Sequence, residues 1–158
     1  MNSKPIQIIL ARKNNIISGY IQSSTWSKWS HVVIVDGDHV IQSVGIPPVK
    51  LFLVLFGIIP NSARLGGVKR TPLDEFLIQY PDNRIAWIDG DINIARNMVD
   101  NAMYDAWGVL GVKFKYRIDC DDKMTCSKMV WLCHSGLRDE FAYRATPQSI
   151  LENSRDYE

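Results

Sequence analysis

The chain has 158 residues, of which 46% are hydrophobic and 22% charged, a composition typical of a soluble globular protein with one buried core. A formal net charge of +1 gives no sign of the basic face that nucleic-acid binding needs. The three cysteines are odd in number and lack Cys-x-x-Cys spacing, which argues against a disulfide scaffold and a zinc site. We therefore predict one domain over residues 1–158, with no metal and no cofactor.

The periodicity of apolar residues changes along the chain and predicts an α+β fold with strands clustered into a sheet and helices packed on it. No apolar secretion signal follows the first residues, so we expect the protein to reside in the cytoplasm. The predicted strands include residues 6–11 and 84–88. The predicted helices include a short helix or turn over 15–23, a helix that starts at Thr71-Pro72, and an amphipathic helix over 92–103.

Residues 29–44 predict a β-hairpin. Two β-branched stretches flank Asp36-Gly37, the dipeptide that best tolerates a type I′ turn. With Asp36 and Gly37 as the loop, His31 lies directly opposite Gln42 on one face of the ribbon. A loop shifted by one residue keeps the two side chains on that face but makes their contact diagonal.

A contact between His31 and Gln42 has a chemical use. The amide oxygen of Gln42 can accept the imidazole N–H and hold one tautomer, as the amide does in Cys-His-Asn sites. The alternative is structural, with His31 a hydrogen-bonded strand histidine and Gln42 a surface amide.

Cys126 begins a predicted helix. Apolar residues recur at a helical spacing from this position, Thr125 is a suitable N-cap, and Gly136 is a suitable stop. A thiol in the first turn of a helix faces unpaired N–H groups, which favour its thiolate. The alternative is that Cys126 only begins a buried stripe, the interpretation that we prefer for Cys133.

Cys120 is a poorer candidate nucleophile than Cys126. It lies in the acidic stretch 119–122, where neighbouring negative charge raises the pKa of a thiol.

The order of these residues resembles that of a known family. A histidine in a strand, an acid or amide in the next strand, and Cys-Ser at a distant helix start resemble the permuted NlpC-type branch of the papain-like cysteine hydrolases, the YiiX-like group. The order is also similar in outline to that of the lecithin:retinol acyltransferase relatives. The matching stretches are 30–35, 40–43, 104–105, 126–130, 146–150 and 153–154.

The resemblance implies a papain-like antiparallel sheet with packed helices and the nucleophile at a helix N-terminus. It makes Cys126 the nucleophile, His31 the general base and then acid, and Gln42 the third member. Ser127 and Tyr104 would bind substrate, the Tyr104 hydroxyl donating a hydrogen bond to it. A core tyrosine with a paired hydroxyl is the structural alternative for Tyr104.

The chain departs from the family pattern at two places. Many relatives carry a glutamate where Gln42 stands, and a carboxylate stabilises an imidazolium better than an amide does.

Residues 46–66 form an insertion whose apolar stretch runs from Leu51 to Ile59, which is too short to span a bilayer. We expect it to form a buried strand or a hydrophobic wall of the site. The alternative is an exposed loop, flanked by Lys50, Arg64, Lys69 and Arg70, that contacts a membrane or a partner protein.

The leading functional hypothesis is a thiol hydrolase that cleaves amide bonds through an acyl-thioester on Cys126, with peptides, and cell-wall peptides in particular, as the substrate class. One alternative is an acyltransferase or lipid-ester hydrolase that uses the same residues. The other is a binding module without catalytic activity, which Gln42 makes credible.

Overall fold

The computed structural model describes residues 3–13, 28–60, 65–105 and 123–156, and the predicted element over 15–23 lies outside them. The described strands form a sheet in the order β5-β1-β2-β3-β4-β6-β7, in which β6 and β7 are parallel and the other neighbours antiparallel. The strands are β1 (Lys4–Arg12), β2 (His31–Asp36), β3 (His39–Val44), β4 (Gly67–Pro72), β5 (Asp82–Gly90), β6 (Met103–Tyr104) and β7 (Lys123–Met124). The predicted α+β class is confirmed.

Helices cover both faces of this sheet. They are α1 (Pro48–Leu55), α2 (Leu73–Gln79), α3 (Ile92–Met98), α4 (Cys126–Cys133) and α5 (Pro147–Glu152), with a 3₁₀ helix at Asp139–Arg144. Alternate residues of each strand point to opposite faces, so each helix layer has its own apolar core. On one face, strand residues such as Val32 and Ile34 pack with Met129 and Val130 of α4. On the other face, Val33 and Val40 pack with Phe76 of α2.

The β2–β3 hairpin forms with its turn one residue further along the chain than in the preferred prediction, which shifts the strand pairing by two residues. Asp36 pairs with His39, so Gly37 and Asp38 form the turn, and Gly37 adopts the positive φ of +65° that glycine tolerates. In this register Gln42 lies level with Val33, so its contact with His31 is diagonal, as in the shifted-loop alternative.

The helix predicted over 92–103 is wrong in its second half. Helix α3 ends at Met98, Asp100 has a φ of +60°, and Met103 joins the sheet opposite Gly67. Residues 100–102 bind to the edge of β4 instead of continuing the helix. The Asp100 amide donates to Val68 O at 2.9 Å, and the Val68 amide donates to Ala102 O at 3.1 Å. Tertiary hydrogen bonds thus override a helical apolar pattern.

The apolar insertion forms helix α1, so the predicted buried strand is wrong. Its inner side chains, Leu51, Val54 and Leu55, pack on Ile46 and Tyr104. Its outer side chains, including Phe52 and Phe56, are exposed. One face of the helix is therefore buried and the other exposed, and contact of the exposed face with a membrane or a partner stays a prediction.

No helix among the described residues is long and apolar enough to cross a membrane.

Candidate active site

The sheet opens between β2 and β3 at the end where β2 begins. The two strands pair through Ile34–Ile41, Val35–Val40 and Asp36–His39, whereas β3 pairs with β4 along its full length. At the open end, Ser43 Oγ donates to Met124 O at 2.8 Å, and the Val32 amide is close enough to the Cys126 sulfur to lower the pKa of that thiol. Strand β7 and the start of α4 thus enter this gap and place Cys126 at the beginning of β2.

Helix α4 begins at Cys126, as predicted, and Thr125 caps it. The Thr125 hydroxyl accepts a hydrogen bond from the Lys128 amide at 3.2 Å. The first amides of a helix have no carbonyl partner within it, so they lie beside the thiol as donors. The helix ends at Cys133 with His134 as its cap, so the predicted stop at Gly136 is wrong. The early end has a tertiary cause, because the Asp91 amide donates a hydrogen bond to the Cys133 carbonyl at 3.0 Å.

His31 and Gln42 meet, and their hydrogen bond orients the imidazole. His31 Nε2 lies 2.9 Å from Gln42 Oε1, and Gln42 Nε2 donates to Thr71 Oγ1 at 2.9 Å. Because an amide oxygen only accepts, Nε2 carries the proton, and Nδ1 is left as the ring nitrogen that can accept one. Thr71 was predicted to cap α2. Instead it lies in β4 and orients Gln42, while Pro72 precedes the helix.

The Cys126 thiol and the His31 imidazole interact and shift each other's pKa. Burial alone raises the pKa of Cys126, but the hydrogen bond and positive charge of His31, the Val32 amide and the Ser127 hydroxyl outweigh burial and lower it. Burial alone lowers the pKa of His31, but the hydrogen bond and negative charge of Cys126, together with Gln42, raise it above its ordinary value. Both shifts favour a thiolate beside an imidazolium.

An aromatic stack that the sequence analysis missed supports the imidazole. The Tyr80 ring stacks on His31 with centroids 5.3 Å apart, and Phe76 stacks on Tyr80 at 4.7 Å. Lys13 Nζ lies 4.6 Å from the centre of the Tyr80 ring, and its charge lowers the pKa of His31. The spacing of Phe76 and Tyr80 on α2 shows only that they share a helix face, so no sequence signal links them to His31.

The two predicted substrate-binding residues differ in their relation to the thiol. Tyr104 is buried, and its pKa is raised by burial first and then by the charge of Cys126. Ser127 is 2% exposed, and its Oγ lies 3.8 Å from Cys126 Sγ. Tyr104 is therefore within electrostatic range of the thiol and packs against α1, whereas Ser127 contacts the sulfur and has little surface to offer a substrate.

The remaining cysteines differ in what the structure shows of them. Cys133 is buried at the other end of α4, in agreement with the preferred interpretation, and burial raises the pKa of its thiol to about 12. Cys120 and the acidic stretch around it lie outside the described residues. The described parts of the chain hold no cluster of three or more His, Cys, Asp or Glu side chains that could bind a metal ion.

Comparison with family models, with curated proteins and with solved structures gives no match for this chain.

Proposed function

We propose that this protein is a cysteine hydrolase that cleaves amide bonds, with Cys126 as nucleophile, His31 as general base and Gln42 as the residue that orients the base. The observation that carries the proposal is the ordered contact from Gln42 through His31 to Cys126. A papain-like permuted fold of the kind that the sequence resembles would bring together the same three types of residue.

In the first half of the proposed reaction, the Cys126 thiolate attacks the carbonyl carbon of the substrate and forms a tetrahedral intermediate. The Cys126 amide, at the start of α4, would donate to the developing oxyanion. His31 then gives its proton to the leaving amine, and an acyl-thioester remains on the sulfur.

In the second half, His31 accepts a proton from water at Nδ1, and the hydroxide attacks the thioester. The bond between the carbonyl carbon and the sulfur then breaks, the carboxylic acid leaves, and the Cys126 thiolate is restored beside the protonated His31. The hydrogen bond to Gln42 keeps Nε2 protonated throughout, so Nδ1 is the ring nitrogen that serves both proton transfers.

The substrate class is proposed from the resemblance, which points to small peptides and to cell-wall peptides first. A lipid ester is the second candidate. It is favoured by helix α1, whose apolar side chains pack on Tyr104, a residue within electrostatic range of the thiol.

Intact-mass spectrometry tests the proposal. The protein is incubated separately with peptidoglycan peptides, with lipid esters and with an electrophilic peptide probe, and Cys126→Ser is the control. Acyl mass on Cys126 from peptides supports amide hydrolysis, and acyl mass from lipids supports the second candidate. If no adduct forms on Cys126 between mildly acidic and mildly alkaline pH, the proposal is wrong and a binding module is favoured.

A further inference from the structure

Helix α1 and the turn after it present an apolar surface to solvent. Val49, Phe52, Phe56 and Ile58 are between 55% and 76% exposed. We call these four residues the α1 patch. Val49, Phe52 and Phe56 follow the spacing i, i+3, i+7, so they share one helix face, and the rings of Phe52 and Phe56 lie 4.4 Å apart. Large apolar side chains clustered at the surface are typical of a binding surface.

The opposite face of α1 is anchored, so the α1 patch is held outward. Leu51, Val54 and Leu55 pack on Ile46 and Tyr104. The helix therefore cannot turn its exposed face inward without giving up this packing. An amphipathic helix fixed in this way has the form of an interfacial segment that lies in the plane of a membrane surface.

The charges around the patch favour an anionic surface as its occupant. Residues 48–60, which form α1 and the segment after it, contain one basic residue, Lys50, and no aspartate or glutamate. The next basic residues that the structure describes, Lys69 and Arg70 of β4, are already paired with Asp100 and Asp36. Lys50 is exposed within α1 itself, next to Val49. An exposed apolar face with a cation beside it and no acidic residue suits anionic lipid headgroups above a hydrocarbon layer.

From these observations we infer that the α1 patch docks on an anionic phospholipid surface, with Phe52 and Phe56 inserted and Lys50 among the headgroups. This binding goes beyond the proposed hydrolase function and does not need the thiol. It would place Tyr104, and with it the candidate site, one helix layer from the membrane.

Vesicle flotation tests this inference with two vesicle types, phosphatidylcholine alone and phosphatidylcholine with phosphatidylglycerol. We expect the protein to float with the anionic vesicles. The double substitution Phe52→Ser with Phe56→Ser should weaken binding at least about tenfold, because two exposed apolar side chains are removed. Lys50→Glu should weaken binding to the anionic vesicles about fivefold or more, since each basic residue near such a surface contributes on that scale.

The control is Ile78→Ser, which removes an 80% exposed apolar side chain from α2 and should leave flotation unchanged. Cys126→Ser should also float normally, which separates this test from that of the proposed function. Failure to float with either vesicle type overturns the inference, as does equal flotation of the double variant. Binding of an acidic protein through the α1 patch without vesicle binding would replace the lipid with a protein partner.

Discussion

The two ends of helix α4 carry the same residue in opposite environments. Cys126 at the first position is half-buried, and His31, the Val32 amide and the Ser127 hydroxyl lower the pKa of its thiol. Cys133 at the last position is 1% exposed, and burial raises the pKa of its thiol to about 12. Both residues lie on the same apolar stripe, so the stripe does not determine reactivity. Donors and a nearby cation stabilise one thiolate, whereas the other would have to form in an apolar core next to the Asp91 carboxylate.

Removal of each sulfur in turn should have the largest effect and tests whether the two cysteines differ in function. Cys126→Ala should lower hydrolysis of the substrate identified by acyl transfer about 10⁴-fold or more, because no acyl-enzyme can form. Cys133→Ala should keep turnover within about twofold and cost about 1–2 kcal/mol of unfolding free energy, since it leaves a small cavity. Initial rates and urea unfolding measure the two effects. Equal losses of turnover in both variants would refute the assignment.

Removal of the base is the next largest perturbation. His31→Ala should slow turnover about 10²- to 10⁴-fold, the usual contribution of general acid–base catalysis. The pKa of Cys126 should also rise, because burial then acts without the opposing imidazolium. Alkylation by iodoacetamide at pH 6 should therefore fall.

His39→Ala is the matched control for this variant. His39 lies at the turn end of the hairpin, where its Nδ1 contacts Asp38 at 2.6 Å. Rates that fall equally in both histidine variants would point to a general folding defect instead of a catalytic role for His31.

Substitution of the Gln42 amide by a carboxylate adds a negative charge beside His31 and tests whether this position controls the imidazole. Gln42→Glu should raise the pKa of His31 further, because the carboxylate stabilises the imidazolium. The imidazolium would then persist to higher pH, and the alkaline limb of the turnover profile should move upward with it. NMR titration of the His31 ring measures the shift directly. A pKa of His31 that stays unchanged or falls in Gln42→Glu would show that the contact with Gln42 does not control the ring.

The aromatic stack gives the smallest expected effect. Tyr80→Phe keeps the stacked ring and should change alkylation of Cys126 by less than about twofold, whereas Tyr80→Ala should slow it about threefold to tenfold, the equivalent of one aromatic contact. Alkylation at pH 6, with a folding check by circular dichroism, distinguishes the two variants. If Tyr80→Phe were as slow as Tyr80→Ala, the hydroxyl would be the important group and the stacking argument would be wrong.

The sequence predicts the parts of this site that depend on local spacing. Thr125 and the apolar repeat after it place Cys126 at a helix start, because capping and periodicity act within one or two turns. The alternation of the hairpin places His31 and Gln42 on one face under either turn position, because a loop displaced by one residue keeps side-chain parity.

Features that depend on distant parts of the chain could not be predicted in this way. The Val32 amide reaches Cys126 only because the sheet opens between β2 and β3, and Tyr80 reaches His31 only because α2 packs on that face. The early end of α3 has the same origin, since the edge of β4 binds Asp100 and Ala102. Hydrophobic periodicity does not encode such pairings between separate elements.

The pH dependence of Cys126 alkylation tests the central claim most directly. Peptide mapping after brief treatment with iodoacetamide resolves the rate at each of the three cysteines from pH 4 to pH 10. We predict that Cys126 reacts with a midpoint below about 8.5, the value of an unperturbed thiol, and that Cys133 in the folded protein stays unreactive over this range. A midpoint for Cys126 at or above that value would contradict the pairing of thiolate and imidazolium.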